Sequence, residues 1–231
     1  MNFKIYEAKH TEAKNARLAN KIFGHSPRIV LVGSSGSGKT QFIFNYLFNF
    51  QKDYLKKSKT DVLIMTTTHD TAEHLEELAD ANNYDYRHFK IYPFFDLDII
   101  EEEYRKSNKS FLLILDDCAF KKQMNTRHNP NIISEIYTSG RHKNAGVIIA
   151  SQKYNYLGED VRSLNANFVI IYSTLTKKEI ERVYEENIAT LMTYDEFLNI
   201  VKNHLSQTYS FITIDKKRKK LYDMNFNEIK L

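Results

Sequence analysis

Short, uninterrupted apolar runs alternate with amphipathic segments of helix length along most of this 231-residue chain. Runs that are rich in β-branched residues are typical of strands buried on both faces of a parallel sheet. The predicted strands are RIVLV (28–32), DVLIMTTT (61–68), KIYPF near residue 90, FLLIL (111–115), GVIIA (146–150) and NFVIIYS (167–173). Their alternation with helices predicts an α/β fold with a central, mostly parallel sheet flanked by helices.

The segments between these strands have helical periodicity. QFIFNYLFNFQKDYL (41–55) predicts a long aromatic helix, and TAEHLEELADA (71–81) predicts a helix with Leu75 and Leu78 on one face. Further helices are predicted at 96–106, 130–140, 158–164, 177–188 and 193–205. The segments TYSFITID and KLYDMNF near the end of the sequence predict a β-hairpin.

The pattern predicts one domain in three parts. At 231 residues the chain can bury one substantial core. Residues 27–175 are expected to form this core, preceded by a small N-terminal elaboration (1–26) with a short strand, FKIY, and a helix capped at Thr11. Residues 176–231 are expected to add helices and a β-hairpin packed on the core.

Composition narrows the class of protein only slightly. The chain has 33 Lys and Arg against 29 Asp and Glu, so its net charge of +4 permits a polyanionic partner without requiring one. Cys118 is the only cysteine, which excludes an internal disulfide. No apolar run approaches the roughly 18 residues that span a bilayer. We therefore expect a soluble, intracellular protein that does not associate with membranes.

The segment GSSGSGKT matches the phosphate-binding loop pattern of a glycine, four residues and Gly-Lys-Thr. Glycines let successive backbone N–H groups turn towards a phosphate chain, and the following helix adds its positive N-terminal dipole. Lys39 is expected to reach the outer phosphates and Thr40 to bind Mg²⁺. The predicted nucleotide-binding residues are Gly33, Ser34, Ser35, Gly36, Ser37, Gly38, Lys39 and Thr40. A chance glycine-serine turn is the alternative, but a predicted strand precedes this loop and a predicted helix follows it.

Two adjacent acids follow the strand FLLIL. Asp116 is predicted to hold Mg²⁺, directly or through water, because open α/β sheets bind ligands at the carboxyl ends of their strands. Asp117 is predicted to be the base that orients and polarises an attacking water. A helix cap or a solvated turn acid remains the alternative for Asp117. Together with the loop, these acids predict ATP hydrolysis with ATP and Mg²⁺ as cofactors.

The spacing of the two motifs favours one class of P-loop protein. Between Lys39 and Asp116 the chain has room for an extra strand and its crossover helix, as in RecA-like (ASCE) P-loop NTPases. In that layout GVIIA is the inserted central strand, and Gln152 follows it where a polar side chain can contact the γ-phosphate and the attacking water. Arg141 precedes the same strand at its far end. It is therefore predicted to act in trans, as an arginine finger across a ring interface.

Three segments, in this order and spacing, carry a family resemblance: GSSGSGKT, LLILDDC and SGRHKNAGVIIASQKYN. They resemble the FtsK/HerA superfamily of DNA-pumping ATPases. The similarity is greatest to the viral genome-packaging ATPases of nucleocytoplasmic large DNA viruses, virophages and related elements. The matching region covers roughly residues 28–173. Cell-division and conjugation members often have Glu where this chain has Asp117, and the shorter side chain has less reach as a base.

The resemblance implies a motor that packages DNA. Such a protein would form a homo-oligomeric ring, a pentamer or hexamer, and thread double-stranded DNA into a preformed capsid without reading its sequence. Its further partner would be a capsid vertex or portal protein. It would act in the host-cell cytoplasm or a viral factory, or in association with the virion.

A DNA pump needs basic groups that contact phosphates without regard to sequence. The loop CAFKKQMNTRHNPN supplies Lys121, Lys122, Arg127 and His128 just after the acids, where hydrolysis could move it. A merely solvated connection is the alternative. The basic run KKRKK (216–220) is denser, but it fits a solvated hairpin turn at least as well as a DNA contact or a nuclear localisation signal.

Two other functions remain open. A P-loop phosphotransferase, such as a nucleotide kinase, would transfer a phosphoryl group to a small acceptor under an arginine-rich lid. The paired acids, Gln152 and the lack of a clear lid argue against it. A nucleotide-gated assembly module would bind ATP with little turnover, and Asp117→Asn would then leave its function intact.

Overall fold

The computed structural model describes residues 10–118 and 131–230, so the predicted strand FKIY lies outside the described residues. Nine strands within these ranges form one sheet. They are β1 (Arg28–Val32), β2 (Asp61–Thr66), β3 (Phe89–Tyr92), β4 (Phe111–Asp116), β5 (Ala145–Ser151), β6 (Phe168–Tyr172), β7 (Phe211–Asp215), β8 (Lys220–Tyr222) and β9 (Glu228–Ile229).

Eight α-helices lie in the same described ranges. They are α1 (His10–Phe23), α2 (Lys39–Asn45), α3 (Lys52–Ser58), α4 (His69–Ala81), α5 (Leu97–Lys106), α6 (Ile132–Ser139), α7 (Lys177–Asn187) and α8 (Tyr194–His204). None of these helices is long and apolar enough to cross a membrane.

The strand order is β3-β2-β4-β5-β1-β6-β7-β8-β9. Neighbouring strands are parallel from β3 to β6 and antiparallel from β6 to β9. The segment GVIIA lies in β5, between β1 and β4, as the RecA-like layout predicts. Val32 pairs with Ser151, and Asp116 pairs with Ala150. Strands β1, β4 and β5 therefore end at the same edge of the sheet.

Helices cover both faces of the sheet, and each face has its own apolar core. On one face, buried residues of α5, α6, α7 and α8 pack against the sheet; on the other, buried residues of α1, α2, α3 and α4 do so. Alternate residues of a strand enter opposite cores: Ile29 and Leu31 of β1 lie in one, Val30 and Val32 in the other. Burial on both faces explains why the strands read as uninterrupted apolar runs.

The single helix predicted over 41–55 is wrong, because α2 widens into a π-helical turn at Tyr46–Phe50 before α3 begins. The N–H of Gln51 donates to the carbonyl oxygen of Tyr46, five residues back, at 2.9 Å. The first three residues of the turn are all buried. Consecutive residues of a regular α-helix point about 100° apart, so three in a row do not share one face. The wider π-helical turn coincides with these three buried residues. Turns of this kind are a known cause of kinks and interruptions in α-helices, as between α2 and α3 here.

Smaller differences concern the ends of elements. The helix predicted at 158–164 is a π-helical turn at Asp160–Asn165, and the strand predicted at 61–68 ends at Thr66. The C-terminal hairpin is present as β7 and β8, and it continues the central sheet through the pairing of β6 with β7. Strand β9 has only two residues, too few to leave a periodic signal in the sequence.

Residues 216–219 of the basic run form the turn between β7 and β8, and Lys220 begins β8. Nη1 of Arg218 donates to the buried carboxylate of Asp215 at 2.8 Å and to the carbonyl oxygen of Ile22 at 2.9 Å. Lys220 pairs with Glu228 at 2.6 Å. The run is thus a hairpin turn in which Arg218 joins the C-terminal strands to the end of α1.

A buried ion pair connects the turn before β6 to α7. Arg162 contacts both carboxylate oxygens of Glu186, at 2.9 and 2.6 Å, and the hydroxyl of Tyr154 donates to the same carboxylate at 2.9 Å. The side chains of Arg162 and Glu186 are only 7% and 17% exposed. Nε of Arg182, whose side chain is 46% exposed, also contacts Glu186 at 3.0 Å. Loss of Arg162 would therefore leave the buried carboxylate with one, more solvated, cationic partner.

We predict that Arg162→Ala lowers the free energy of unfolding by about 3 kcal/mol, at the low end of the range for breaking a buried ion pair, because the Glu186 carboxylate keeps only Arg182 as a cationic partner. The measurement is urea denaturation. Arg105→Ala is the matched control, because Arg105 makes an equally close two-pronged contact with Glu135 but on the surface, with the two side chains 48% and 38% exposed. Its loss should cost less than about 1 kcal/mol. Equal losses in the two variants would contradict this account.

Candidate active site

The loop GSSGSGKT connects β1 to α2 at the edge where β4 and β5 also end. At Gly33 an added Cβ would lie 2.6 Å from Oγ of Ser37 and 2.8 Å from Cβ of Tyr172, so no side chain fits there. Gly38 has a φ of 104°, a conformation that other residues rarely adopt. The loop can therefore take this shape only with glycine at these two positions of the phosphate-binding pattern.

Lys39 is held over the loop that precedes it. Its ammonium donates to the carbonyl oxygens of Gly33 at 2.8 Å and Ser34 at 2.9 Å. It also lies 3.9 Å from Oδ1 of Asp117. Burial lowers the pKa of Lys39, while the nearby carboxylates of Asp117 and Asp116 act in the opposite direction. The loop therefore holds a buried cation where the predicted outer phosphates would lie.

Asp116 is the last residue of β4, and its side chain is buried. Oγ1 of Thr40 donates to its Oδ2 at 2.8 Å. Burial raises the pKa of Asp116 to about 6; the negative charge of Asp117 adds to this, while Thr40 and Lys39 oppose it. Parallel strand geometry thus brings together the two residues that the sequence predicts as Mg²⁺ ligands.

The residues around the loop fit a magnesium nucleotide. In the described part of the chain, Oδ1 of Asp116, Oδ1 of Asp117 and Oγ of Ser37 are buried oxygens without a hydrogen-bond partner. Mg²⁺ prefers oxygen ligands and usually takes only one or two from the protein, the rest coming from phosphates and water. The same part of the chain has no cluster of three His, Cys, Asp or Glu residues that could hold a metal by itself.

Asp117 lies between the loop and the end of β5. Its Oδ2 accepts a hydrogen bond from Nε2 of Gln152 at 3.3 Å, and its Oδ1 faces Lys39. The backbone of Asp117 has a φ of 54°, in the left-handed region that non-glycine residues seldom occupy. Strain of this kind is common at functional sites. Two of the predicted catalytic residues, Asp117 and Gln152, are therefore in contact.

The position of Gln152 follows from how β5 ends. The carbonyl oxygen of Ser151 accepts a hydrogen bond from the N–H of Gly33 at 3.2 Å, which joins β5 to the first residue of the phosphate loop. Oγ of Ser151 donates to the carbonyl oxygen of Lys153 at 2.7 Å and so turns the chain. Gln152 is exposed between these two anchored residues.

Arg141 lies at the opposite end of β5, in a short 3₁₀ turn at Gly140–Lys143. Its side chain is exposed, and within the described ranges it has no ion pair. Burial lowers the pKa of nearby Arg28, and the positive charge of Arg141 contributes to this. Seven strand residues at about 3.3 Å each separate Arg141 from Gln152 by roughly 20 Å. The structure thus keeps Arg141 away from the phosphate loop of its own subunit.

Lys121, Lys122, Arg127 and His128, the basic residues of the predicted DNA-contact loop, lie outside the described residues. Two other polar residues, within the described ranges, are not part of the cluster. His69 is exposed at the start of α4. Tyr154 is buried and bonded to Glu186, so its role is structural.

Sequence reasoning missed two residues beside the loop. Oγ1 of Thr174 accepts a hydrogen bond from the N–H of Ser34 at 2.8 Å. Tyr209 lies against Gly38: an added Cβ there would be 3.5 Å from Cδ1 of its ring. Thr174 could have been found, because it follows β6, whose end lies at the same edge as that of β1. Tyr209 had no such signal, because an antiparallel strand brings it there.

Comparisons with known proteins agree with this geometry. A model of the poxvirus A32 protein family matches residues 13–217. No curated protein sequence matches the chain.

Solved structures show the same fold. The genome-packaging NTPase B204 of Sulfolobus turreted icosahedral virus 2, in complex with AMP, is similar with a TM-score of 0.64 and 21% identity, over 87% of this chain and 97% of that one. Its complex with AMPPCP gives 0.62 and 19% over the same shares. The cytoplasmic domain of the type VII secretion ATPase EccC from Thermomonospora curvata gives 0.50 and 13%, over 82% of this chain and 24% of that one.

These likenesses confirm the predicted P-loop NTPase fold. The family match covers most of the sequence and includes the phosphate loop, the paired acids and Gln152. It agrees with the predicted resemblance to the viral packaging branch of the FtsK/HerA superfamily. The chain therefore belongs to the poxvirus A32 protein family.

Proposed function

We propose that this protein hydrolyses ATP with Mg²⁺ and uses the free energy to move double-stranded DNA, packaging a viral genome into a preformed capsid. The observation that carries the proposal is that two adjacent carboxylates have different partners. Asp116 contacts the loop hydroxyl of Thr40 at 2.8 Å. Asp117 lies between Gln152, at 3.3 Å, and Lys39, at 3.9 Å. One acid is thus directed to a metal ligand and the other to the groups that would surround an attacking water.

The loop and the first acid would bind the nucleotide. Backbone N–H groups between Gly33 and Thr40 would hold the phosphate chain, and the ammonium of Lys39 would exchange loop carbonyls for phosphate oxygens. Thr40 and Asp116 would hold Mg²⁺, which supplies positive charge to the phosphate oxygens when it is bound. The deep burial of Lys39 and Asp116 makes these electrostatic contacts stronger than they would be in water.

The second acid would act on water. Phosphoryl transfer depends mainly on positioning and on charge stabilisation. The carboxylate of Asp117 would orient the attacking water and accept its proton, while the amide of Gln152 holds Asp117 in place and contacts the same water. Gln152 directly follows β5, whose other end leads back to Arg141. A shift of Gln152 on cleavage of ATP would therefore be transmitted through β5 towards Arg141.

Coupling to DNA rests on the family and on the fold. B204 is described as a genome-packaging NTPase and has been solved with AMPPCP. We infer that this chain, like a ring motor, assembles as a pentamer or hexamer at a capsid vertex or portal. Arg141 would then reach the nucleotide of a neighbouring subunit.

DNA contacts would come from the segment after the acids. Lys121, Lys122 and Arg127 are its basic residues, and they would contact the backbone of double-stranded DNA without sequence preference. The place of action would be the host-cell cytoplasm or a viral factory, and the protein could accompany the virion.

The first test is steady-state phosphate release with and without long double-stranded DNA. We predict that turnover per subunit rises with protein concentration and with DNA, because the complete site needs a neighbour. Asp117→Asn should lower kcat by about 10²- to 10⁴-fold, the usual contribution of a positioned base, and should retain ATP binding.

Lys39→Ala is the matched control for this variant, because it should lose ATP binding as well as turnover. Turnover that is indifferent to DNA while rings are present would contradict the packaging role. Full turnover in Asp117→Asn would show that Asp117 is not the base. Wild-type protein that binds ATP with negligible turnover, even with DNA, would favour a nucleotide-gated assembly module.

A second prediction concerns the stability of the protein without metal or nucleotide. Asp116 ionises near pH 3.8 in an unfolded chain and near pH 6 when buried, so the folded protein holds the proton more tightly. Its contribution to stability is therefore present below about pH 4 and is lost as the pH rises through 6. The difference corresponds to about 3 kcal/mol.

Asp116→Asn should consequently be more stable than the wild type at pH 8, by up to about 3 kcal/mol, and about equally stable near pH 4. The measurement is urea denaturation in a chelator at both values of pH, and the low-pH pair is the internal control. A variant that is less stable at pH 8 would contradict the burial argument.

A further inference from the structure

Tyr209 is an aromatic residue that the fold leaves exposed beside the phosphate loop. Its side chain is 61% exposed. Its Cδ1 and Cβ lie 3.5 and 3.7 Å from the position of a Cβ on Gly38. Within the described ranges its ring makes no aromatic or cation–π contact. The core therefore does not account for its position.

The backbone around Tyr209 is anchored. The N–H and the hydroxyl of Ser210 both donate to the carbonyl oxygen of Gln207, at 3.2 and 2.6 Å, and Ser210 is buried. Tyr209 itself has a φ of 65°, which costs free energy for a residue of this size. Phe211, which begins β7, packs on Tyr172 with ring centroids 5.6 Å apart. The exposed ring is thus presented from a fixed turn.

The order of the sheet gives the direction of a bound nucleotide. On one side of β1 lie β5 and β4, and Gln152 and the paired acids are at the carboxyl ends of these two strands; on the other side lie β6 and β7. If the terminal phosphate of a nucleoside triphosphate faces the acids, its ribose and base extend from the loop on the opposite side, towards β6 and β7. Tyr209 lies two residues before β7, and its ring is beside Gly38, so it lies on this second side.

We propose that Tyr209 is the stacking surface for the nucleobase of the nucleotide whose phosphates the loop holds. The inference rests on the proposed nucleotide site but not on DNA transport. An aromatic ring stacks on the π-face of any base, so Tyr209 supplies affinity with little preference among adenine, guanine and the pyrimidines. Tyr172, buried behind Gly38, supports the loop and does not meet the base.

Other exposed aromatic residues have different surroundings. The hydroxyl of Tyr86 donates to Asp80 at 2.8 Å. Phe94 packs on Tyr92 with centroids 5.6 Å apart. Tyr86 is a suitable control, because it is also a partly exposed tyrosine, 46% exposed, and it precedes β3, at the edge of the parallel sheet opposite the phosphate loop.

Titration calorimetry with MgATP and with magnesium tripolyphosphate tests the proposal, because tripolyphosphate has the phosphates without the base. Tyr209→Leu should weaken MgATP binding about tenfold, equivalent to about 1.4 kcal/mol, and leave tripolyphosphate binding unchanged. Tyr209→Phe should bind both as the wild type does, and Tyr86→Leu should also be unaffected. Melting temperatures would confirm that each variant is folded.

A second readout uses the fact that the chain has no tryptophan. Tyr209→Trp would introduce a single indole, whose fluorescence MgATP and MgGTP should quench and tripolyphosphate should not. Tyr86→Trp should respond to none of them.

Unchanged MgATP affinity in Tyr209→Leu, together with no quenching in Tyr209→Trp, would overturn the inference. It would do so even if Tyr209→Leu were defective in DNA binding or assembly, because Tyr209 would then serve one of those roles and not base stacking. A wild type that binds neither ligand would instead refute the proposed nucleotide site. A wild type that binds ATP but ignores DNA would leave the stacking role intact.

Discussion

The parallel register of β1, β4 and β5 is the constraint on which the site depends. Val32 pairs with Ser151 and Asp116 with Ala150, so β1, β4 and β5 end side by side. The phosphate loop, the paired acids and Gln152, which lie at these three strand ends, are therefore neighbours. This register is firmly specified, because alternate residues of each strand enter two different apolar cores. A slip by one residue would exchange the two faces of a strand and move its polar end away from the loop. The same packing that stabilises the sheet therefore sets the geometry of the chemistry.

That geometry has a cost in stability. A carboxylate at the end of a buried strand loses hydration, which is why the pKa of Asp116 is raised to about 6. Asp117 adds a left-handed backbone, and buried oxygens of both acids have no hydrogen-bond partner in the described part of the chain. Lys39 offsets part of the negative charge from its position over the loop. A concentration of buried charge, backbone strain and unpaired oxygens in one place is typical of a site that binds a polar ligand. A magnesium nucleotide would supply the missing charge and hydrogen bonds.

Sequence was sufficient for those parts of the site that are local along the chain. The loop is eight contiguous residues, and Asp116, Asp117 and Gln152 each follow an apolar run whose end could be read directly. The order of β1, β5 and β4 followed from the spacing of the same motifs. Contacts between distant segments left a weaker signal or none. The end of β6 could have indicated Thr174, which bonds Ser34 across 140 residues, but nothing indicated that the turn before the antiparallel strand β7 brings Tyr209 beside Gly38. The π-helical turn at Tyr46–Phe50 was also missed, because it depends on what its buried aromatic residues meet in the folded core.

The central claim is that one strand serves two active sites, Gln152 in its own subunit and Arg141 in a neighbour. The most direct measurement is ATP turnover in an equimolar mixture of Arg141→Ala and Lys39→Ala proteins, each assayed alone as well. Each variant alone should be nearly inactive, since one lacks the finger and the other the phosphate-binding lysine. Random assembly would pair an intact loop with an intact finger at roughly a quarter of the interfaces of a closed ring, so the mixture should recover about that share of activity. Wild-type turnover in Arg141→Ala alone, or a mixture that stays as inactive as its components, would contradict the account.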